Sequence, residues 1–204
     1  MASSSPKPAT RSRGPRVDRG VAMAQITEAA RTSFAENGWA GTTMRGVARA
    51  AGVDPALVHY YFKSKEELLD ASTTPPAELI EKLQEISGVP LDQRGTAILE
   101  RVIWVWTRPE TREVLRSILL TAAHEDRTLQ KLRLFFTATI LPSVSPQWDE
   151  SERALRAGLV ASQVSGVIMT RWIWKVEPLA SLPDAQLIEL IAPTLQRYLS
   201  DPLR

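Results

Sequence analysis

The sequence predicts an all-α chain: a small N-terminal helical head followed by a larger helical body. Three observations lead there. After residue 18, apolar residues recur at the three-and-four spacing of amphipathic helices. No stretch alternates apolar and polar at period two over a useful length, so no sheet is expected. Glycine, proline and small capping residues fall where those helices should begin and end.

The composition bounds the reading. With 204 residues and 44% apolar content, the chain suffices for one medium domain, or a small one joined to a larger. No apolar run nears the roughly 18 residues of a membrane span. The opening MASSSPKPATRSRG lacks a secretory apolar stretch, which predicts a cytoplasmic location. Cysteine is absent, which removes thiolate nucleophiles, disulfides and Cys-based zinc sites. Residues 1–65 carry 10 Lys/Arg against 4 Asp/Glu, and residues 66–204 carry 15 against 19. A basic end on a mildly acidic body is expected where a small module meets a polyanion. Residues 1–17 are rich in Ser, Pro, Arg and Lys and read as a disordered basic arm, either a solvated tail or a strand that reaches a minor groove.

The head is assigned to residues 18–66 and the body to 67–204. Helical periodicity runs from Asp18 to Asn37, with Ile26, Ala29, Ala30, Ser33 and Phe34 on one face. Gly38 is its stop, and Trp39 can close over the last turn. Thr42 or Thr43 caps a short helix with Val47, Ala48 and Ala51 inward. Gly52 turns the chain beneath Val53, and Asp54 caps a third helix with Pro55 in its first position. That helix runs only to about Phe62. Ser64 and Glu67 form a capping box for a fourth. Two short helices hinged by A-G-V and packed on a longer one make a helix-turn-helix. Pro75-Pro76 disturbs or ends the fourth helix. Further helices are predicted over 92–107, 109–123, 125–140, 150–176 and 184–199, with Pro193 kinking or shortening the last.

The stretch PALVHYYFKSKEELL (55–69) sets four rings in a row and follows them with lysines. On a helix starting at Asp54, Val58, Tyr61 and Phe62 face the core, while Ala56, His59 and Tyr60 face outward. Flat polar-tipped rings suit a DNA backbone, covering sugar carbons and reaching phosphate oxygens. Ala56 is small enough for close approach to a thymine methyl, and Arg45 can fork to guanine or clamp a phosphate. Lys65 and the first backbone N–H groups of the fourth helix can converge on one phosphate.

The segment TTMRGVARAAGVDPALVHYYFKSKEELL (42–69) resembles the DNA-binding signature of the tetracycline-repressor (TetR) family, over roughly residues 20–70. The resemblance implies an N-terminal three-helix helix-turn-helix DNA-binding domain plus a C-terminal helical ligand-binding and dimerisation domain. By position it implies DNA contacts from Thr43 and Arg45, from Pro55, Ala56, Leu57, His59 and Tyr60, and from Lys65. The chain departs from the family at Gly46, where a polar residue is usual, and at Pro55 and Leu57. Few base-reading groups remain, which shifts weight to phosphate contacts, methyl contacts and DNA shape.

In the body, Gly158, Ser162, Gly166 and Thr170 form a small-residue stripe, and Leu187, Ile191, Leu195 and Leu199 an apolar one. Such helices from two subunits would build a four-helix dimer interface, as the resemblance also implies. Gly158, Ser162, Gly166, Leu187, Ile191 and Leu195 are its expected members. Trp104 and Trp106 lie about 200° apart on a helix, so only one can point inward. Trp106, Phe135 and Trp172 are the candidate lining of an apolar effector pocket.

No nucleophile elbow, phosphate loop, HExxH or Cys–His pair is present, and the two histidines, His59 and His124, are far apart. No catalytic residue, metal or cofactor is expected. His124-Glu125-Asp126 reads as a loop and helix cap. The expected partners are double-stranded operator DNA, a small-molecule effector and a second copy of the chain. The rival is a helix-turn-helix regulator without an effector, acting through protein partners.

Overall fold

The first helix of the computed structural model, α1 (Arg19–Gly41), follows the predicted span, and Gly38 interrupts it at φ +64°. The structure describes residues 19–75 and 77–203, so the predicted arm over 1–17 lies outside the described residues. Among them are ten α-helices and no strand. Helices α2 (Met44–Ala50), α3 (Pro55–Tyr61) and α4 (Lys65–Ser72) complete the head. The body holds α5 (Ala77–Gln84), α6 (Arg94–Thr107), α7 (Pro109–Ala122), α8 (Asp126–Ile140), α9 (Glu150–Ile168) and α10 (Asp184–Ser200).

Two separate cores explain the division. The head's core joins Ile26, Ala30 and Phe34 of α1 to Val47 and Ala48 of α2, Val58 and Phe62 at α3, and Leu68 and Leu69 of α4. It therefore continues past residue 66, and α4 belongs to the head while leading into the body. Helix α4 ends at Ser72, where Thr73 Oγ1 and Ser72 Oγ both donate to the Leu69 carbonyl. Pro75-Pro76 thus follows a finished helix, and a further short helix, α5, stands beyond it.

The body packs around α6, whose Ile98, Leu99, Val102, Val105 and Trp106 are buried against α9 and α10. Trp106 points inward, whereas Trp104 is half-buried at the edge of the core beneath the Arg108 guanidinium, 3.9 Å from its ring centroid. Glu125 caps α8 by accepting from the N–H groups of Arg127 and Thr128. Helix α9 widens into a π-helical turn over Met169–Ile173, so the helical run ends near 173 rather than 176. Pro193 does not shorten α10. It removes the N–H that would bond Glu189, but both residues are exposed and water can serve that carbonyl.

Arg156, 1% exposed, ties α9 to the end of α10. Its Nε pairs with Glu152 at 2.8 Å, and Nη1 donates to the carbonyls of Tyr198 and Asp201 at 3.0 and 2.8 Å. A cation among the last carbonyls of a helix also complements its dipole.

The α6–α10 contact is backbone-close at Gly95. Its N–H donates to Gln196 Oε1 at 2.9 Å, and a Cβ there would lie 2.6 Å from the Ala192 carbonyl oxygen. Gly95→Ala should therefore lower stability by about 1–3 kcal/mol, the usual range for overpacking. Urea unfolding should show a lower midpoint with an unchanged slope.

Candidate nucleic-acid interface

The recognition element is assembled from caps, a turn and a plug. Thr43 Oγ1 accepts from the Gly46 N–H at 3.0 Å and opens α2. A Cβ at Gly46 would sit 3.0 Å from that same Oγ1, which gives a physical reason for glycine there. Gly52, at φ +67°, makes the left-handed turn that an L side chain resists. Val53 closes the elbow half-buried, with its N–H on the Ala48 carbonyl at 3.0 Å. Asp54 Oδ1 accepts from Ala56 N at 2.8 Å, and Pro55 takes the first helical position.

Helix α3 is seated by Val58, fully buried, and Phe62, 5% exposed. Tyr61 packs half-buried at the edge of the same core. The opposite flank is open: Pro55, Ala56 and His59 are exposed, and Tyr60 is 64% exposed with its ring edge-on to Tyr61. Arg45 and Thr43 are exposed on the neighbouring helix. Leu57 departs from expectation. It is half-buried against the head's core, so packing claims much of a side chain that was expected at a groove. Arg49 and Lys63 are exposed cations of this head that the motif does not single out.

The start of α4 is already furnished. Lys65 Nζ donates to the Trp39 carbonyl and lies 4.4 Å from the Trp39 ring centroid. Trp39 in turn stacks on Phe34. The capping box forms with a shift of one residue: Ser64 Oγ accepts from Glu67 N at 3.2 Å, and Glu67 Oε2 accepts from Lys63 N at 2.7 Å. Glu66 accepts from its own backbone N–H and from Ser64, which lowers its pKa below the ordinary carboxylate range. A phosphate arriving here meets a carboxylate and a turned-back lysine rather than a bare helix terminus.

The body carries an apolar cavity of about 90 Å³ between α6, α7, α8 and α9. Trp106 and Phe135 line it. Trp172 does not: it stacks on Trp106 at 5.7 Å and instead borders a separate polar cleft with Arg112, Arg116 and Lys175. Trp172 lies in the π-helical turn that follows α9.

The expected dimer stripes fare differently. Gly158, Ser162 and Gly166 are exposed on α9, with nothing within 4 Å of a Cβ at either glycine. Leu187 and Leu195, however, are wholly enclosed within the subunit, and Ile191 packs half-buried against its core. The i, i+4 stripe of α10 faces α6, whose broad apolar face needs that cover. The outward side of α10 carries Leu190, 60% exposed, with Thr194 and Arg197.

Among the described residues no cluster of ligating side chains could hold a metal, and no helix is long and apolar enough to cross a membrane.

Residues 92–199 match the family model described as tetracyclin repressor-like, C-terminal domain, and residues 26–72 match bacterial regulatory proteins, tetR family. The chain is 32% identical over 94 residues to the transcriptional repressor AcnR of Corynebacterium diphtheriae, covering 46% of this chain and 50% of that protein. It spans only 23% to 50% of the length of the curated relatives it matches. A TetR-family regulator from Streptomyces coelicolor superposes with TM-score 0.62 at 25% identity, over 91% of this chain and 99% of that one. SmeT, solved as a complex with triclosan, superposes with TM-score 0.62 at 18% identity over 85% and 90%. With over half its length inside one family model and its helix-turn-helix inside another, the chain belongs to the TetR family of bacterial transcriptional regulators.

Proposed function

We propose that the chain is a homodimeric repressor, working in the cytoplasm, that holds a pseudo-palindromic operator and releases it when a small, mostly apolar molecule enters the body. In each subunit α3 lies in a major groove. His59 and Tyr60 cover sugar carbons and reach phosphates, Ala56 approaches a thymine methyl, and Arg45 with Thr43 contacts DNA from α2. Pro55 fits the backbone side of the groove, and Leu57 contributes its exposed edge. Twofold symmetry matches half-sites about 34 Å apart.

The observation that carries this reading is that two helices serve both ends of the molecule. Leu115, Ile118 and Leu119 of α7 and Leu132, Phe135 and Phe136 of α8 line the cavity. The same helices grip the head: Ser117 Oγ donates to the Arg31 carbonyl at 2.9 Å, and Asp70 of α4 pairs with Lys131 and with Arg127, the latter at 3.1 Å. Arg31 Nε closes the set on the Ser72 carbonyl. Parting α7 from α8 around a ligand therefore shifts the grip on α1 and α4 and re-spaces the two heads. The ligand acts only through its differential affinity for that spacing, and each 1.4 kcal/mol or so of difference moves operator affinity about tenfold. The triclosan complex of SmeT supports a small-molecule input for this fold.

Three outcomes test the proposal. Lys65 completes the proposed contact set by swinging its ammonium from Trp39 to a phosphate when DNA binds, so Lys65→Ala should weaken binding to all duplexes alike and flatten the salt dependence of log K by about one unit. An unchanged slope, measured by fluorescence anisotropy at several salt concentrations, removes Lys65 from the contact set. Asp70→Asn should cost under about 1 kcal/mol of stability, because the pairs are partly exposed. It should also shrink the loss of operator affinity that an effector produces; an undiminished loss would show that these ion pairs transmit nothing. Gly158→Leu should leave the subunit folded, since space is open around it, and yet overpack the dimer face. Sedimentation should then find monomers where the parent chain sediments as a dimer, and a persisting dimer places the interface elsewhere.

A further inference from the structure

The cavity wall holds one anomaly. Of the sixteen side chains around it, only Trp106, Thr139 and Ser143 carry polar atoms. Ser143 is 0% exposed, and its Oγ has no hydrogen-bond partner among the described residues. Its backbone is fixed: the Ser143 carbonyl accepts from Arg94 Nη1 at 3.0 Å, and the guanidinium that donates is itself held on the carbonyls of Ser87 and Val89. The residue therefore stays at the cavity wall, with its hydroxyl closed to water until a ligand parts the surrounding helices. A buried hydroxyl without a partner costs free energy that an alanine would avoid, and a ligand that supplies the partner recovers it. Water is a poor occupant, because it needs two to four polar neighbours and beside Ser143 this wall offers only the side chains of Thr139 and Trp106.

Resting on the apolar-effector reading above, we infer that Ser143 selects an uncharged ligand: a single ring or short hydrocarbon body bearing one hydrogen-bonding oxygen, a phenol, alcohol or ketone. A charge is excluded by the wall. No cation or carboxylate lines the cavity, and an ion brought in from water would meet no counter-charge. Size adds a second condition. At about 90 Å³ the space is smaller than the ~150 Å³ cavity known to admit benzene, so even one ring must push the walls apart. Those walls are α7 and α8, which hold the head. Ligand size and hydroxyl position together define a molecule that wedges these helices while its oxygen meets Ser143.

The test is calorimetric titration of the full chain with 4-ethylphenol, with 4-ethyltoluene, in which a methyl replaces the hydroxyl, and with 4-ethylbenzoate. The phenol should bind about three- to tenfold tighter than the hydrocarbon, the range of one net hydrogen bond, and the benzoate should not bind. Ser143→Ala, which removes an unpartnered buried hydroxyl and so should fold at least as well, should bind phenol and hydrocarbon equally. If the parent chain already binds the two equally, or binds the benzoate as well, the Ser143 assignment falls while the apolar effector site stands. If a preference for phenol survives in Ser143→Ala, the assignment falls likewise. If neither neutral compound binds, the apolar-effector reading falls with it.

Discussion

Helix α3 is only seven residues long, and everything the head does depends on holding it still. An isolated helix of two turns does not form in water, because nucleation costs more than so few hydrogen bonds return. Its order is therefore borrowed from Val58 and Phe62, each buried side chain contributing about 1.5–3 kcal/mol relative to exposure. Asp54 ties down its first turn, and Gly52 sets the angle at which it leaves α2. Once Val58 and Phe62 are in the core, the hundred degrees per residue of a helix leaves His59 and Tyr60 no place but outside. The exposed rings result from the buried ones.

The head meets the body where α1 packs along α7, and a few polar bonds mark the joint. Arg31 and Asp70 on one side meet Ser117, Arg127 and Lys131 on the other. Partly exposed bonds of this kind are individually weak, which suits the change of orientation proposed for the head. The apolar cavity lies immediately behind the joint on α7 and α8. A tightly interdigitated joint would resist a ligand-driven shift, whereas a loose one would not carry it to DNA. This joint stands between the two, with a few directional bonds laid over helices that are rigid in themselves.

Much of this was legible in the sequence, and the failures have common causes. The caps at Thr43, Asp54, Ser64 and Glu125, the left-handed Gly52 and five body helices were readable because each depends on residues close in the chain. The two faces of α3 were readable because a periodic pattern fixes them. What could not be read depends on partners distant in sequence. The stripe of Leu187 and Leu195 looks the same whether it faces another subunit or α6, and only the position of α6 decides. Trp172 was named with Trp106 and Phe135 as a pocket candidate, yet it lies in the π-helical turn after α9 and stacks on Trp106 outside the cavity lining. Lys65 was expected to point at phosphate, but the Trp39 carbonyl and ring, twenty-six residues away in sequence, claim its ammonium in the free protein. Ser143 carried no signal at all, since an unpartnered hydroxyl exists only once its surroundings do.

The exposed face of α9 supports the proposed dimer by an argument from cost. Glycine inside a helix loses about 1 kcal/mol relative to alanine, and Gly158 and Gly166 both lie well inside α9. Within the subunit nothing would obstruct a side chain at either position. Gly95 shows the contrast, for there the α10 backbone occupies the space a Cβ would need. In the proposed dimer, a backbone approaching α9 from outside as closely as α10 approaches α6 would supply the reason for these glycines that the subunit itself lacks. A second α9 related by a twofold axis meets that condition with the same residues on both sides, and it sets the two α3 helices in the symmetric relation that paired half-sites require.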